Sequence, residues 1–333
     1  MNFAKPLVAW YQANKRDFPW RETRDPYAIW LSEIMLQQTR TTAVIPYYER
    51  FLAALPTVGD LARVDEDALL RLWQGLGYYS RARNLQRAAV KIETELGGAF
   101  PNTYEGLLAL PGVGPYTAGA IASIAFGQTV PAVDGNVLRV WARLRNCFDD
   151  ITQTAVKARV TRELAEIMPQ RAGDFNQALM ELGAVVCLPI GAPRCESCPV
   201  RAFCKAFAAG TVEQLPVRTK KKPRKKERYT VFVLQNEGSF VVQKRPKTGL
   251  LASLYQLPHT VGFLTQEEIA AWLTAFGARP VGELAVYSCT HIFTHIEWEM
   301  RVVCLEVSPF TPPVGLWYDG TQGLPTAFAK CLP

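Results

Sequence analysis

The stretch LPGVGPYTA, residues 110–118, is a Gly-rich turn between two segments of helical character. TYEGLLAL (103–110) leads into it and YTAGAIASIAF (116–126) leaves it, so the chain reads helix, tight turn, helix. A turn that opens directly on a helix N-terminus exposes backbone N–H groups, and these can hold a phosphate. Gly112 and Gly114 have no side chain to keep that phosphate away. Taken alone, the same pattern is also an ordinary interhelical turn. Outward from it, helical patterns recur at 65–76, 80–96, 136–146, 154–168 and 175–187. Asp25-Pro26 opens another helix, with Ile29, Trp30, Ile34 and Met35 as its apolar stripe. No run of strand alternation precedes residue 228.

The style changes after that point. YTVFVLQ (229–235) and SFVVQKR (239–245) flank a hairpin turn at Asn236-Glu237-Gly238. Further strand candidates are 284–293 and 297–307, with an amphipathic helix over 265–277. The 333 residues are enough for two domains, and 49% apolar with 20% charged residues excludes a disordered chain. The first twenty residues carry neither a signal-peptide pattern nor a membrane-length apolar run, so a cytoplasmic protein is expected. The net charge of +7 is concentrated in TKKKPRKKER (219–228), which holds seven Lys/Arg against one Glu. It reads both as a solvated linker and as a contact for a nucleic-acid backbone. The expected organisation is therefore a helical domain over 1–218, a basic linker over 219–228 and an α+β domain over 229–333.

Three groups of residues could carry chemistry. Asp134, in VPAVDGNVLRV, precedes Gly135 and an amphipathic helix, where a carboxylate can cap the helix and also face a cleft. Glu33 sits on or beside the apolar stripe of its helix; desolvated there, it could keep a proton near neutral pH and act as a general acid. Two carboxyls in unlike environments suit cleavage of a glycosidic bond through an oxocarbenium-like transition state. Cys187, Cys195, Cys198 and Cys204 form a four-thiol run in a chain with no secretory signal, which points to metal. Zinc and an iron–sulfur cluster both remain open on spacing, with Pro199 after Cys198 as in ferredoxin-like runs.

Together, LPGVGPYTA, VDGN (133–136) and the four-cysteine run resemble the helix-hairpin-helix DNA glycosylases that carry a [4Fe-4S] cluster. PWRE (19–22), WLSEIMLQQT (30–39) and GLGYYSRARNL (75–85) resemble more specifically the MutY-type adenine DNA glycosylases, and 229–333 is similar to their Nudix-like C-terminal domain. The resemblance implies an all-α glycosylase domain followed by an α+β Nudix-like domain. It implies a monomeric base-excision repair enzyme, associated with the nucleoid, acting on double-stranded DNA with adenine opposite 8-oxoguanine or guanine. Such an enzyme must take the adenine out of the stack to reach its bond.

By the same resemblance, Glu33 is the catalytic acid and Asp134 stabilises the sugar cation. Tyr116 stands where relatives of the endonuclease III type, which also cleave the backbone, have a lysine nucleophile. Arg21 and Gln177 line the base pocket, and Gln38 and Tyr78 probe the duplex opposite it. Gly112 and Gly114 form the phosphate hairpin, and Cys187, Cys195, Cys198 and Cys204 hold the cluster. Phe293-Thr294-His295 resembles the Phe-Ser-His loop that contacts 8-oxoguanine.

Two departures stand out: seven residues, LPIGAPR, separate the first two cysteines instead of the usual six, and Thr294 replaces Ser. A Nudix box is absent, and Gln266-Glu267-Glu268 does not supply its carboxylates, so no nucleotide hydrolysis is expected. The alternatives are an endonuclease III-like glycosylase and lyase for oxidised pyrimidines, or a Nudix hydrolase fused to a DNA-binding module.

Overall fold

The computed structural model describes residues 3–219 and 223–333, so Lys220, Lys221 and Lys222 of the basic run lie outside the described residues. The chain forms two compact units. One takes the chain up to Arg63 and from Asn84 to the basic run; the other takes Val64–Arg83 and the chain beyond the basic run.

The helices in chain order are α1 (Ala4–Asn14), α2 (Pro26–Leu36), α3 (Thr41–Ala54), α4 (Val58–Arg63), α5 (Glu66–Leu72), α6 (Ser80–Glu95), α7 (Tyr104–Leu108) and α8 (Pro115–Ile124). They continue with α9 (Gly135–Arg145), α10 (Thr154–Ile167), α11 (Ala172–Val185), α12 (Lys205–Ala208), α13 (Gln266–Phe276) and α14 (Thr326–Ala329). The seven helices expected between 65 and 187 are all present; α1, α3 and α4 were not expected. Among the described residues no strand precedes Lys225.

Asp25 caps α2 by accepting from the Tyr27 N–H at 3.0 Å, with Pro26 in the first turn where its missing N–H costs nothing. Every residue from Tyr27 to Met35 is buried. The expected one-sided stripe is thus a helix enclosed on nearly all sides, and Glu33 lies inside it. In the first unit, Leu7 of α1, Trp141 of α9, Val160 of α10 and Phe175 of α11 share one core.

Two devices fix the segment between α8 and α9 that carries Asp134. A Cβ on Gly119 of α8 would lie 2.4 Å from the Pro131 carbonyl oxygen, so only glycine lets this backbone pass so close. Asn176 of α11, fully buried, accepts from the Ala132 N–H (3.0 Å) and donates to the Val130 carbonyl (2.9 Å) and the Ser123 hydroxyl (2.8 Å).

In the second unit the strands are β1 (Lys225–Asn236), β2 (Ser239–Lys244), β3 (Tyr255–Gln256), β4 (His259–Val261), β5 (Pro280–Ile292), β6 (Ile296–Val307) and β7 (Leu316–Trp317). The main sheet runs β3-β2-β1-β6-β5, with β1 and β6 parallel and Val231 opposite Val302. The hairpin turn forms as expected, Glu237 and Gly238 taking φ of 48° and 79°. α13 covers one face through Ile269 and Leu273. Its Thr265 and Glu268 form a reciprocal capping box, so the carboxylate of Glu268 satisfies a backbone N–H.

β1 begins at Lys225, inside the stretch expected as a linker. Lys225 pairs with Glu227 (2.9 Å), Lys226 with Glu299 (2.7 Å) and Arg228 with Glu299 (3.0 Å). The parallel register brings Lys226 and Arg228 over the acidic face of β6, while Lys225 pairs within β1, so much of the described basic run is neutralised within the sheet. The unit boundaries also differ from the linear division at 218. Within the second unit Asp67 pairs with Lys244 at 2.8 Å, and Arg83 donates to the Ala252 carbonyl at 2.8 Å.

Candidate active site

A cavity of about 220 Å³ opens in the first unit between the turn at Pro19–Arg21, α2, the start of α8, the start of α9 and α11. Glu33, Tyr116, Asp134, Arg21 and Gln177 all line it, so the structure brings together five residues scattered over 157 positions of sequence. The Tyr116 hydroxyl donates to Glu33 Oε2 at 2.7 Å. Burial pushes the Glu33 carboxyl from 4.5 up to about 7, and the negative charge of Asp134 adds to the rise; the Tyr116 hydrogen bond and Arg21 oppose it. A carboxyl so placed can hold a proton at neutral pH.

Asp134 caps α9. Its Oδ1 accepts from the Val137 N–H at 2.7 Å and its Oδ2 from the Asn136 amide at 2.8 Å. Burial raises its pKa, and these hydrogen bonds to the charged form hold it down. Both carboxyls are therefore desolvated, but Asp134 is anchored by more donors that favour its charge than Glu33 is.

Four contributors were not expected from the sequence. Glu181 of α11 accepts from Arg16 and Arg21, and Asn136 and Asn176 hold Asp134 and its segment. The available signal was polar residues on the buried face of an amphipathic helix: Asn176 and Glu181 lie among Phe175, Ala178, Leu179 and Leu182.

The hairpin α7–turn–α8 is formed, with Gly112 at φ 76°; a Cβ there would lie 2.6 Å from Asn84 Cβ. Gly114 caps α8 with open space where a Cβ would stand, leaving its backbone approachable. Gln38 is exposed beyond the end of α2 at φ 60° and lines none of the cavities described here. In the second unit a cavity of about 510 Å³ is lined by Tyr78, His291, Phe293, Thr294 and His295. The Tyr78 and Thr294 hydroxyls are 3.0 Å apart, and Phe293 packs edge-on against Trp298 and His291.

The four cysteines Cys187, Cys195, Cys198 and Cys204 line a cavity of about 30 Å³ walled by Val140, Leu144 and Val200. Among the described residues no three His, Cys, Asp or Glu side chains are grouped as they would be around a single metal ion. The donor chemistry fits an anionic four-thiolate group. Arg143, buried beside these thiols, donates to the Cys187 sulfur at 3.1 Å and to the carbonyls of Leu188, Val212 and Leu215. A buried guanidinium facing sulfur calls for negative charge there. Burial pushes the free Cys198 thiol up to about 11, so ionisation needs a bound cation.

The sequence pattern of the HhH-GPD superfamily base excision DNA repair proteins matches residues 31–169, which take in the second half of α2 with Glu33, the hairpin and Asp134. That of the NUDIX domain matches 230–332. The fold and the family matches thus define a helix-hairpin-helix base excision repair enzyme, a DNA N-glycosylase, followed along the chain by a Nudix-like domain. The adenine DNA glycosylase of Homo sapiens is 37% identical over 93% of this chain and 68% of its own length. That of Buchnera aphidicola subsp. Baizongia pistaciae is 34% identical, covering 99% and 95%. The chain belongs to the adenine DNA glycosylase family. Among solved structures, a thermostable thymine-DNA glycosylase superposes with a TM-score of 0.56 at 28% identity, over 62% of this chain and 95% of its own.

Proposed function

We propose that this protein is a monofunctional glycosylase that releases adenine mispaired with 8-oxoguanine or guanine in duplex DNA, acting as a monomer and associated with the nucleoid. The observation that carries the reading is the buried Glu33, hydrogen-bonded to Tyr116 in a cavity shared with Asp134. With Oε2 taken by Tyr116, Oε1 is left to give its proton to N7 of the flipped adenine. Departure of the neutral base leaves positive charge on the sugar, and Asp134 offsets it from the opposite carboxyl environment. Arg21 and Gln177 line the base pocket. Tyr116 supplies a phenol where an imine-forming enzyme needs an amine, which supports a hydrolytic, non-lyase reaction.

The opposite base is read by Gln38, Tyr78, Phe293, Thr294 and His295, and Gly112 and Gly114 hold the strand by its phosphate. Cys187, Cys195, Cys198 and Cys204 would hold a [4Fe-4S] cluster, which when bound tethers the 187–204 loop against α9. Among the described residues no helix is long and apolar enough to cross a membrane.

Duplexes carrying adenine opposite 8-oxoguanine, adenine opposite guanine, and thymine glycol opposite adenine test the substrate class. Alkali-labile sites are expected at adenine in the first two only; cleavage at thymine glycol would support the endonuclease III-like alternative. Replacing Thr294 and His295 together by Ala is expected to erode the preference for 8-oxoguanine by about 1–3 kcal/mol per lost contact. Equal loss on both mispairs would assign these residues to the fold instead. Purified protein is expected to be yellow-brown and to contain iron, with Cys198→Ser losing colour and solubility. A colourless, active protein with stoichiometric zinc would overturn the cluster assignment.

A further inference from the structure

Glu181 is a buried charge in the cavity wall, its side chain 1% exposed. Its Oε1 accepts from Arg16 Nε at 2.6 Å and its Oε2 from Arg16 Nη2 at 3.0 Å and Arg21 Nη2 at 2.6 Å. The Arg16 backbone N–H adds a contact at 3.3 Å. Arg21 is held on its other sides too: Nη1 donates to the Arg16 carbonyl at 2.7 Å, and its guanidinium lies 4.8 Å from the Phe18 ring centre. These contacts keep two cations and one anion against the cavity that holds Glu33.

We infer that Glu181 is a positioning residue of the reaction: it fixes Arg21 in the base pocket and offsets one of the two positive charges of Arg16 and Arg21, so that Glu33 keeps its proton. This rests on the reading of Glu33 as the catalytic acid. The titratable and charged groups that line the cavity with Glu33 are Tyr116 from α8, Asp134 from the start of α9, Arg16 and Arg21 from the segment between α1 and α2, and Glu181 from α11. Tyr116 and Arg21 favour its ionised form, while burial and Asp134 oppose ionisation. Without the Glu181 charge, the pull of Arg21 on that proton is uncompensated and Arg16 adds to it. Without Arg16, the remaining Glu181–Arg21 pair is closer to neutral, and Glu33 holds its proton to higher pH. The opposite signs separate this role from a purely structural one.

The test is single-turnover adenine release from a duplex with adenine opposite 8-oxoguanine, over about pH 5 to 9, for wild type, Glu181→Gln, Arg16→Met and Glu33→Gln. Thermal melting and duplex binding are recorded for each. The alkaline limb of Glu181→Gln is expected to move about one pH unit toward acid, with the rate largely restored at the acid end. That of Arg16→Met is expected to move toward alkali. A fall by one constant factor at every pH, or shifts of both variants in one direction, would overturn the inference. If Glu181→Gln does not fold, the Arg16→Met profile decides alone: an unmoved or acid-shifted limb overturns it. Release by Glu33→Gln at wild-type rates would instead remove the acid assignment beneath it.

Discussion

Glu33→Gln is expected to bring adenine release down by about 10²–10⁴-fold, the range assigned to a positioned general acid, with binding of the mispaired duplex kept within a few-fold of wild type. The amide matches the carboxyl in size, and its oxygen can still accept from Tyr116, so the cavity keeps its shape. What it lacks is a proton acidic enough to make adenine a leaving group. The fold should gain rather than lose. The carboxyl pKa rises from 4.5 to about 7 on folding, so the folded state binds more protons than the unfolded state between those values. Stability from this group is therefore complete below about pH 4.5 and declines as pH rises through 7. The variant should melt higher than wild type above pH 7 and lose that advantage in acid. Near wild-type turnover would take Glu33 out of the mechanism.

Asp134→Asn is expected to separate two roles of one side chain. Asparagine is as good an N-cap as aspartate, and its oxygen can accept the Val137 N–H, so α9 and the melting temperature should change little. The negative charge is gone, and with it the counterpart of the cationic sugar. A loss of about 10²–10³ in single-turnover rate follows, the scale of removing one preorganised electrostatic group. Unchanged release with an unchanged melting temperature would leave Asp134 as a cap alone. Because Asn136 also donates to this carboxylate, an amide at 134 must turn its oxygen toward that donor or lose the contact.

Local chemistry made much of the fold legible. Asp25-Pro26 is a helix start and Asn236-Glu237-Gly238 is a hairpin turn; each depends on residues no more than three apart. The two carboxyls were singled out for the same reason, each lying at or near a recognisable helix start or stripe, whereas Tyr116 was named only through the family resemblance. Glu181 was not, because its meaning depends on Arg16 and Arg21, more than 150 positions away. Nor was the depth of Glu33: periodicity marks one apolar face, whereas α2 is covered on nearly all of them. The acidic face that meets Lys226 and Arg228 exists only once β1 and β6 pair in register. Charge counted along the chain made that stretch a linker; the register made it a strand.

The assignment of Val64–Arg83 to the second unit bears on how such a protein can be taken apart or recombined. The chain passes out of the first unit after Arg63 and re-enters it at Asn84, so no single peptide bond separates the two. A gene fragment ending after the basic run would keep 64–83 while deleting Lys244 and Ala252, which hold Asp67 and Arg83, and Gly323, beside which Leu70 lies. Tyr78 would lose the hydroxyl of Thr294 at the same stroke. A chimera that exchanges the second unit between relatives must therefore splice at three junctions, after Arg63, after Arg83 and at the basic run, carrying residues 64–83 together with everything after that run.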